Sequence, residues 1–195
     1  MNEKSLSKLD AADKHQELIT SLQSNHHENI IIYSDDSKLS DSAAGAGSFI
    51  SFNSKKSESF SWNLNSTAEI FDLKLFAISK SLEKIDEEAI ESIHLTDIYV
   101  FVDSLSVIQR IVKNDRSSRQ EFTHRIYSKA NELFNEKIQL HIHWVPSHMS
   151  IHDNEMADLA AKQDASATAR SLIYDKLPAS MISLRRSQRE SQLQS

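Results

Sequence analysis

The amino-acid sequence predicts an α/β fold in which one mixed β-sheet carries helices on both faces. Two unbroken apolar runs, Ile30–Tyr33 and Ile98–Val102, are typical of strands that are covered on both sides. Between them lie an alternating segment, typical of a hairpin, and a stretch with apolar residues at spacings of four and three, typical of a helix. Because a helix separates the second buried strand from the first sheet segment, the sequence predicts a parallel crossover.

The N-terminal half supplies a leading helix and three strands. Leu9–Leu22 carries an imperfect apolar stripe and is predicted to be helical. The first strand follows, and the polar segment 34–42 is predicted to be a turn. Phe49–Phe52 and Ser59–Leu64 then form the predicted hairpin. We expect these three strands to be antiparallel neighbours.

The C-terminal half alternates helices with single strands. Thr67–Ile85 has the clearest helical pattern and is expected to pack its apolar face on the sheet. The later elements are strand Ile98–Val102, helices Leu105–Val112 and Phe122–Phe134, strand Ile138–Val145, and helix Asp153–Asp164 capped by Asp153 or Asn154. The order β-β-β-α-β-α-α-β-α predicts a five-stranded sheet of three antiparallel strands followed by parallel additions.

The composition limits the classes of function. The chain has 195 residues, a net charge of −6 and no cysteine, which excludes a disulfide framework and a thiolate zinc site. No apolar run approaches the roughly 20 residues of a membrane span, and the first residues lack the apolar core of a signal peptide. We therefore expect an intracellular protein with no membrane partner. The acidic balance argues against a strongly basic nucleic-acid binder.

Three carboxylates and one imidazole lie where ligand chemistry gathers in such a sheet. Asp35 and Asp103 each follow a buried strand, Asp158 lies in the last helix, and His148 lies in the loop before it. If the two strands are neighbours, Asp35 and Asp103 converge and require a cation, and hard oxygen ligands favour Mg²⁺ or Mn²⁺. Taken singly, an Asp after a strand is more often a turn or cap residue. Taken together, the set predicts two-metal phosphodiester hydrolysis, in which His148 moves a proton.

A second group of candidate ligands is His141 and His143, which alternate with apolar residues and therefore lie on one strand face. One interpretation is a two-ligand metal site. The other is a half-buried strand without a metal, and the sequence offers no third ligand.

Four motifs resemble those of one enzyme family. Residues 33–37 (Tyr-Ser-Asp-Asp-Ser) resemble its Tyr-Thr-Asp-Gly-Ser, and residues 102–104 (Val-Asp-Ser) resemble its third acid followed by serine. Residues 144–148 (Trp-Val-Pro-Ser-His) and 154–158 (Asn-Glu-Met-Ala-Asp) resemble its Trp-Val-Pro-Gly-His and Asn-Glu-x-Ala-Asp signatures. The chain resembles a type 1 ribonuclease H domain, of the kind found in the reverse transcriptases of fungal LINE-type (non-LTR) retrotransposons.

This resemblance implies a ribonuclease H-like fold, hydrolysis of the RNA strand of RNA–DNA hybrids, and Mg²⁺ or Mn²⁺ as cofactor. It makes Asp35, Asp103 and Asp158 the metal-binding acids and His148 the mobile catalytic histidine. The implied partners are an RNA–DNA hybrid or other nucleic acid and the reverse transcriptase part of a larger polyprotein. It assigns no substrate-binding residue.

The chain departs from the family at the second acid, a Glu on the first helix of the domain, because the register places Lys74 there. At about 100° per residue, Lys74 lies on the helix flank that faces the sheet, whereas Glu69 and Asp72 point away. Strand alternation is expected to turn Asp36 to the opposite face from Asp35. An ammonium among the three acids should oppose a metal and reduce cleavage by several orders of magnitude.

Three further departures concern backbone conformation. Asp36, Ser147 and Asp153 stand where the family usually has Gly, so we expect each to adopt a conformation that Gly takes more easily.

Two functions follow from these observations. One is a ribonuclease H domain with impaired cleavage, and the other is a non-catalytic retrotransposon-derived remnant that binds nucleic acid or protein. The predicted organisation is a leading helix and linker at 1–28, a ribonuclease H-like domain at 29–165, and a polar linker with an amphipathic Leu/Arg segment at 166–195.

Overall fold

The computed structural model describes residues 7–24, 28–39, 43–52, 56–64, 70–89, 95–113 and 121–166. Within these ranges the chain forms five helices and five strands. In chain order they are α1 (Lys8–Ser24), β1 (Glu28–Leu39), β2 (Ala43–Phe52), β3 (Lys56–Leu64), α2 (Ile70–Ala89), β4 (Leu95–Val102), α3 (Leu105–Lys113), α4 (Glu121–Asn135), β5 (Gln139–Trp144) and α5 (His152–Ser166). The predicted order of elements is confirmed. The predicted C-terminal linker and Leu/Arg segment lie outside the described residues.

The five strands form one sheet in the order β3-β2-β1-β4-β5. β1 pairs antiparallel with β2, and β2 pairs antiparallel with β3. β4 is parallel to β1, and β5 is parallel to β4. The mixed sheet of three antiparallel strands and parallel additions is therefore confirmed, and β1 lies at its centre.

Alternate residues of β1 supply two hydrophobic cores, one on each face of the sheet. Ile30 and Ile32 belong to a cluster that includes apolar residues of α2, α3 and α4. Ile31 and Tyr33 belong to a second cluster that includes Leu22 of α1 and apolar residues of α5. This division explains the unbroken apolar run, because each neighbouring side chain enters a different core. Helices cover both faces, as predicted.

β1 extends well beyond its apolar run. The segment 34–42 is predicted to be a turn, but β1 continues to Leu39, which pairs with Ala43 of β2. The prediction is wrong because it followed side-chain polarity, whereas backbone pairing with β2 holds the polar residues in the strand. Asp35 consequently lies within a strand and faces Gly47 of β2 in the antiparallel register.

α5 begins before its predicted start, and α1 adds a covering layer to the same face of the sheet. α5 begins at His152, and Glu155 N donates to Ile151 O at 3.0 Å, so the predicted cap at Asp153 or Asn154 is wrong. α1 packs on the same face as α5, where Asn29 Nδ2 donates to Leu22 O at 3.2 Å. None of the helices within the described ranges is long and apolar enough to cross a membrane.

Candidate active site

The parallel register of β1 and β4 brings two of the predicted acids together. The last pair in this register is Ser34 with Val102, so Asp35 and Asp103 follow side by side, just beyond the β1–β4 pairing. Trp144 fixes this edge, because its indole Nε1 donates to the carbonyl oxygen of Asp103 at 3.2 Å. Asp35 and Asp103 have side-chain exposures of 13% and 15%, so the carboxylates require a partner.

Lys74 of α2 is that partner. Its neighbours Leu73 and Leu75 are fully buried, and Lys74 itself is 7% exposed. Its ammonium donates a hydrogen bond to Asp35 Oδ1 and lies 2.7 Å from Asp103 Oδ1. Lys74 therefore lies on the sheet-facing flank of the helix, as predicted, and its ammonium stands between the two carboxylates.

Asp36 joins the same cluster, contrary to prediction. Lys74 Nζ lies 2.8 Å from Asp36 Oδ1, and the Asp36 side chain is 7% exposed. Alternation was expected to separate Asp36 from Asp35, but pairing between β1 and β4 ends at Ser34. Beyond Ser34, no strand of the described residues lies on that side of β1, so a long lysine side chain reaches both carboxylates around the open edge. Asp36 N also donates to Asp35 Oδ1 at 2.8 Å.

The charges in this cluster depend on one another. Burial raises the pKa of both Asp35 and Asp36, and the nearby Lys74 charge opposes that rise. Burial alone would lower the pKa of Lys74, but the charges of Asp35, Asp36 and Asp103 more than offset it, so the pKa is raised. Lys74 is therefore a permanent ammonium, stabilised by three carboxylates.

Asp158 lies beside this cluster but has a different cation. Lys74 was expected to sit among Asp35, Asp103 and Asp158, yet within the described residues the ion pair of Asp158 is with Lys162, at 2.5 Å. The hydrogen bond with Asp158 raises the pKa of Lys162, and the charges of Asp158 and Asp35 raise it further. The charge of Asp158 also raises the pKa of Asp36. Asp158 therefore adjoins the cluster without a contact to Lys74.

Gly47 sets the position of α5 over the site. A Cβ on Gly47 would lie 2.3 Å from Ala161 N and 2.4 Å from Ala157 O, so the α5 backbone rests directly on this strand residue. Only a residue without a Cβ permits such an approach. Because Gly47 faces Asp35 across the β1–β2 ladder, the contact brings α5 next to the acid cluster.

His148 is exposed in the loop before α5 and has a φ of 58°. In the described residues, non-glycine positive φ occurs at Lys137, His148 and Ser150. The expected strain at Asp36, Ser147 and Asp153 is therefore wrong: Asp36 is part of a paired strand and Asp153 is part of a helix. In this loop it is His148 that adopts the left-handed conformation, not the preceding Ser147.

The remaining candidates do not form a metal site in the part of the chain that the structure describes. His141 and His143 share a face, as predicted, where Tyr99 stacks on both rings. His141 Nε2 lies 2.8 Å from Asp97 Oδ1, which accords with a half-buried strand. No group of three or more His, Cys, Asp or Glu residues within the described ranges has the geometry to hold a metal ion. With Lys74 between the acids, the site does not fit a divalent cation. Glu69 lies outside the described residues.

Sheet order, strand-end acids and an acidic C-terminal helix together define a protein of the ribonuclease H-like class. The chain belongs to the RNase H family, because the family model for RNase H matches residues 27–166. No curated protein sequence matches the chain.

Two solved structures have the same fold. One is RNase H1 from the archaeon Halobacterium salinarum, at 18% identity and a TM-score of 0.52, covering 70% of this chain and 96% of that one. The other is LC11-RNase H1 in complex with an RNA/DNA hybrid, at 15% identity and a TM-score of 0.52, covering 69% and 97%. α1 lies entirely before the matched region.

Asp36, Lys162 and Gly47 are site features that the sequence prediction missed. A signal existed for Lys162, since a lysine four residues after an acid on a helix is placed to pair with it. For Gly47 and Asp36 the sequence gives no comparable signal, because the role of Gly47 depends on the packing of α5 and that of Asp36 on where the pairing of β1 with β4 ends.

Proposed function

We propose that this chain is a ribonuclease H-type domain that recognises RNA–DNA hybrids and in which Lys74 suppresses hydrolysis of the RNA strand. The observation that carries the proposal is the contact of one buried ammonium with Asp35, Asp36 and Asp103. Membership of the RNase H family supports the reaction class. The hybrid bound to LC11-RNase H1 supports the substrate class.

The physical basis of suppression is electrostatic. Hydrolysis of this class uses divalent cations to stabilise developing charge on oxygen, and its carboxylates must be free to hold them. Here Lys74 takes up an oxygen of each of three carboxylates. An ammonium supplies one positive charge and no open coordination position, so it neutralises the acids without replacing the chemistry. Asp35, Asp103, Asp158 and His148 therefore retain the family's positions without its metal-dependent activity.

We further propose a retrotransposon origin, because the leading helix and the C-terminal segment with residues 177–180 and Arg185-Arg186 resemble the flanks of the ribonuclease H domain in such elements. In that origin the domain accompanies a reverse transcriptase inside the cell, as a ribonuclease H-like unit at 29–165 between a leading helix and a C-terminal Leu/Arg segment.

The second candidate is a remnant that binds nucleic acid or a protein partner and has no catalytic role. The net charge of −6 favours a protein partner, because nucleic-acid affinity depends on cationic side chains. Binding of a labelled RNA–DNA hybrid, compared with duplex DNA of the same sequence, separates the candidates. A preference for the hybrid supports the first, and equal or absent binding supports the second.

Cleavage of the same hybrid in Mg²⁺ tests suppression. The wild type is expected to cleave no faster than Asp103→Asn, in which one acid of the cluster is neutralised. Lys74→Glu is expected to cleave faster than either, because it removes the ammonium and restores an acid. Wild-type cleavage that is abolished by Asp103→Asn would contradict suppression. Absence of any gain from Lys74→Glu would contradict the role of Lys74.

A further inference from the structure

The carboxylates of the site are divided between two lysines. Lys74 contacts Asp35, Asp36 and Asp103, and Lys162 contacts Asp158. No carboxylate of this set is shared between the lysines in the described residues. Both ammonium groups come from helices that cover opposite faces of the sheet, α2 on one side and α5 on the other.

The position of Lys162 is a consequence of how α5 packs. Ala157 and Ala161 touch Gly47, and each is followed directly by a charged residue, Asp158 and Lys162. Residues four apart lie one above the other on a helix, so the same close approach holds both charges at one flank of α5. Since Gly47 faces Asp35, that flank adjoins the acid cluster.

Lys162 forms an ion pair with Asp158, four residues earlier on α5, and its side chain is 55% exposed. The hydrogen bond with Asp158 raises the pKa of Lys162, and the charge of Asp35 raises it further. Lys162 is therefore a solvent-exposed cation on one carboxylate of the site, whereas Lys74 is a buried cation on the other three.

We propose that Lys162 is a second resident cation of this site, and that Lys74 and Lys162 together exclude divalent cations from it. The inference rests on the proposed function, because it concerns the same carboxylates. Removal of Lys74 alone leaves Asp158 paired with an ammonium that repels an incoming divalent ion. Replacement of Lys74 alone consequently restores only weak metal binding, and full recovery requires both lysines to be replaced.

Calorimetric titration of the full chain with Mn²⁺ tests this. We expect no binding by the wild type or by Lys162→Gln, weak binding by Lys74→Glu, and about tenfold tighter binding by the Lys74→Glu, Lys162→Gln double variant. The matched control adds Lys56→Gln to Lys74→Glu. Lys56 pairs with Phe52, at the opposite end of the sheet from Asp35, so it should leave the Mn²⁺ affinity of Lys74→Glu unchanged.

Equal affinity of Lys74→Glu and the double variant would overturn the inference, as would tight binding by the wild type. If added acid prevents folding of Lys74→Glu, the same comparison is made with Lys74→Gln, which removes the charge alone. If either chain folds only with metal, the Mn²⁺ concentration at which its circular dichroism becomes native replaces calorimetry. Metal-dependent cleavage by the wild type would contradict the proposed function, whereas equal Mn²⁺ affinities contradict only the role of Lys162.

Discussion

Gly47 of β2 and Ala161 of α5 are in direct backbone contact. A Cβ at Gly47 would lie 2.3 Å from Ala161 N and 2.9 Å from its Cα. Because both sides of this contact are main chain, neither can turn away as a flexible side chain would. The contact joins the strand that faces Asp35 to the helix that carries Asp158, so it couples the stability of the domain to the geometry of its acid site.

Gly47→Ala is therefore expected to lower the free energy of unfolding by about 3 kcal/mol, at the upper end of overpacking costs. The methyl group must push α5 away from β2, since no rotamer change relieves it. Urea denaturation measures the loss. Ser51→Ala, at a half-buried position of the same strand, should change stability by less than about 1 kcal/mol. Equal stabilities of the two variants would mean that α5 moves without cost.

The order of elements is predictable from the sequence because the apolar residues that become buried recur at spacings typical of strands and helices. The run Ile30–Tyr33 is apolar at every position since the strand is covered on both faces, and the helix at Leu75–Ile85 shows its buried stripe directly. The predictions failed where backbone pairing or long side chains decide the outcome. Polar residues up to Leu39 are in a strand because β2 pairs with them, and Asp36 meets Lys74 because β4 ends first.

The site was predicted in part for the same reason. Asp35 and Asp103 converge because the strands that precede them are neighbours in the sheet, and the apolar runs of those strands are visible in the sequence. The partner of Asp158 does not, because it depends on how closely α5 approaches Gly47. That distance is set by tertiary packing and is not encoded in any local pattern.

Lys74→Met is expected to destabilise the protein by about 3–5 kcal/mol at neutral pH. It removes the cation from three carboxylates that remain almost buried, which is the costly way to break a buried ion cluster. Thermal or urea denaturation measures the change. Lys38→Met, at an exposed position of β1, should have an effect below about 1 kcal/mol. A loss of similar size in both variants would show that Lys74 contributes no more than a surface charge.

Millimolar Mg²⁺ is expected to leave the thermal unfolding temperature of the wild type unchanged. A ligand stabilises the folded state only if it binds there, and Lys74 already satisfies Asp35 and Asp103. Differential scanning fluorimetry with Mg²⁺ and with EDTA measures the difference, and NaCl of equal ionic strength controls for screening. A saturable rise in unfolding temperature with Mg²⁺ would contradict the exclusion of metal.

His15 gives a prediction for pH dependence that is independent of the acid site. It lies on α1, is 6% exposed, and is hydrogen-bonded to Tyr33 Oη at 2.9 Å. Its ring also meets Phe101 edge-on, with centroids 4.6 Å apart. Burial, and to a lesser degree the charge of His143, lowers the pKa of His15 to about 4. The folded protein therefore holds the neutral imidazole.

Because the folded pKa lies below the unfolded value of 6.5, the stability linked to His15 is fully present above pH 6.5 and is lost as the pH falls towards 4. We expect this residue to account for about 3 kcal/mol of the stability lost across that range, at about 1.4 kcal/mol per pKa unit. Urea denaturation of the wild type and of His15→Gln from pH 7 to pH 4.5 isolates the contribution, because Gln can still bond to Tyr33 but does not titrate. His152→Gln, at an exposed position of α5, should retain the wild-type pH dependence. Parallel curves for wild type and His15→Gln would refute the assignment, whereas a flatter curve for His15→Gln alone would mean that α1 is held to the sheet by a neutral histidine.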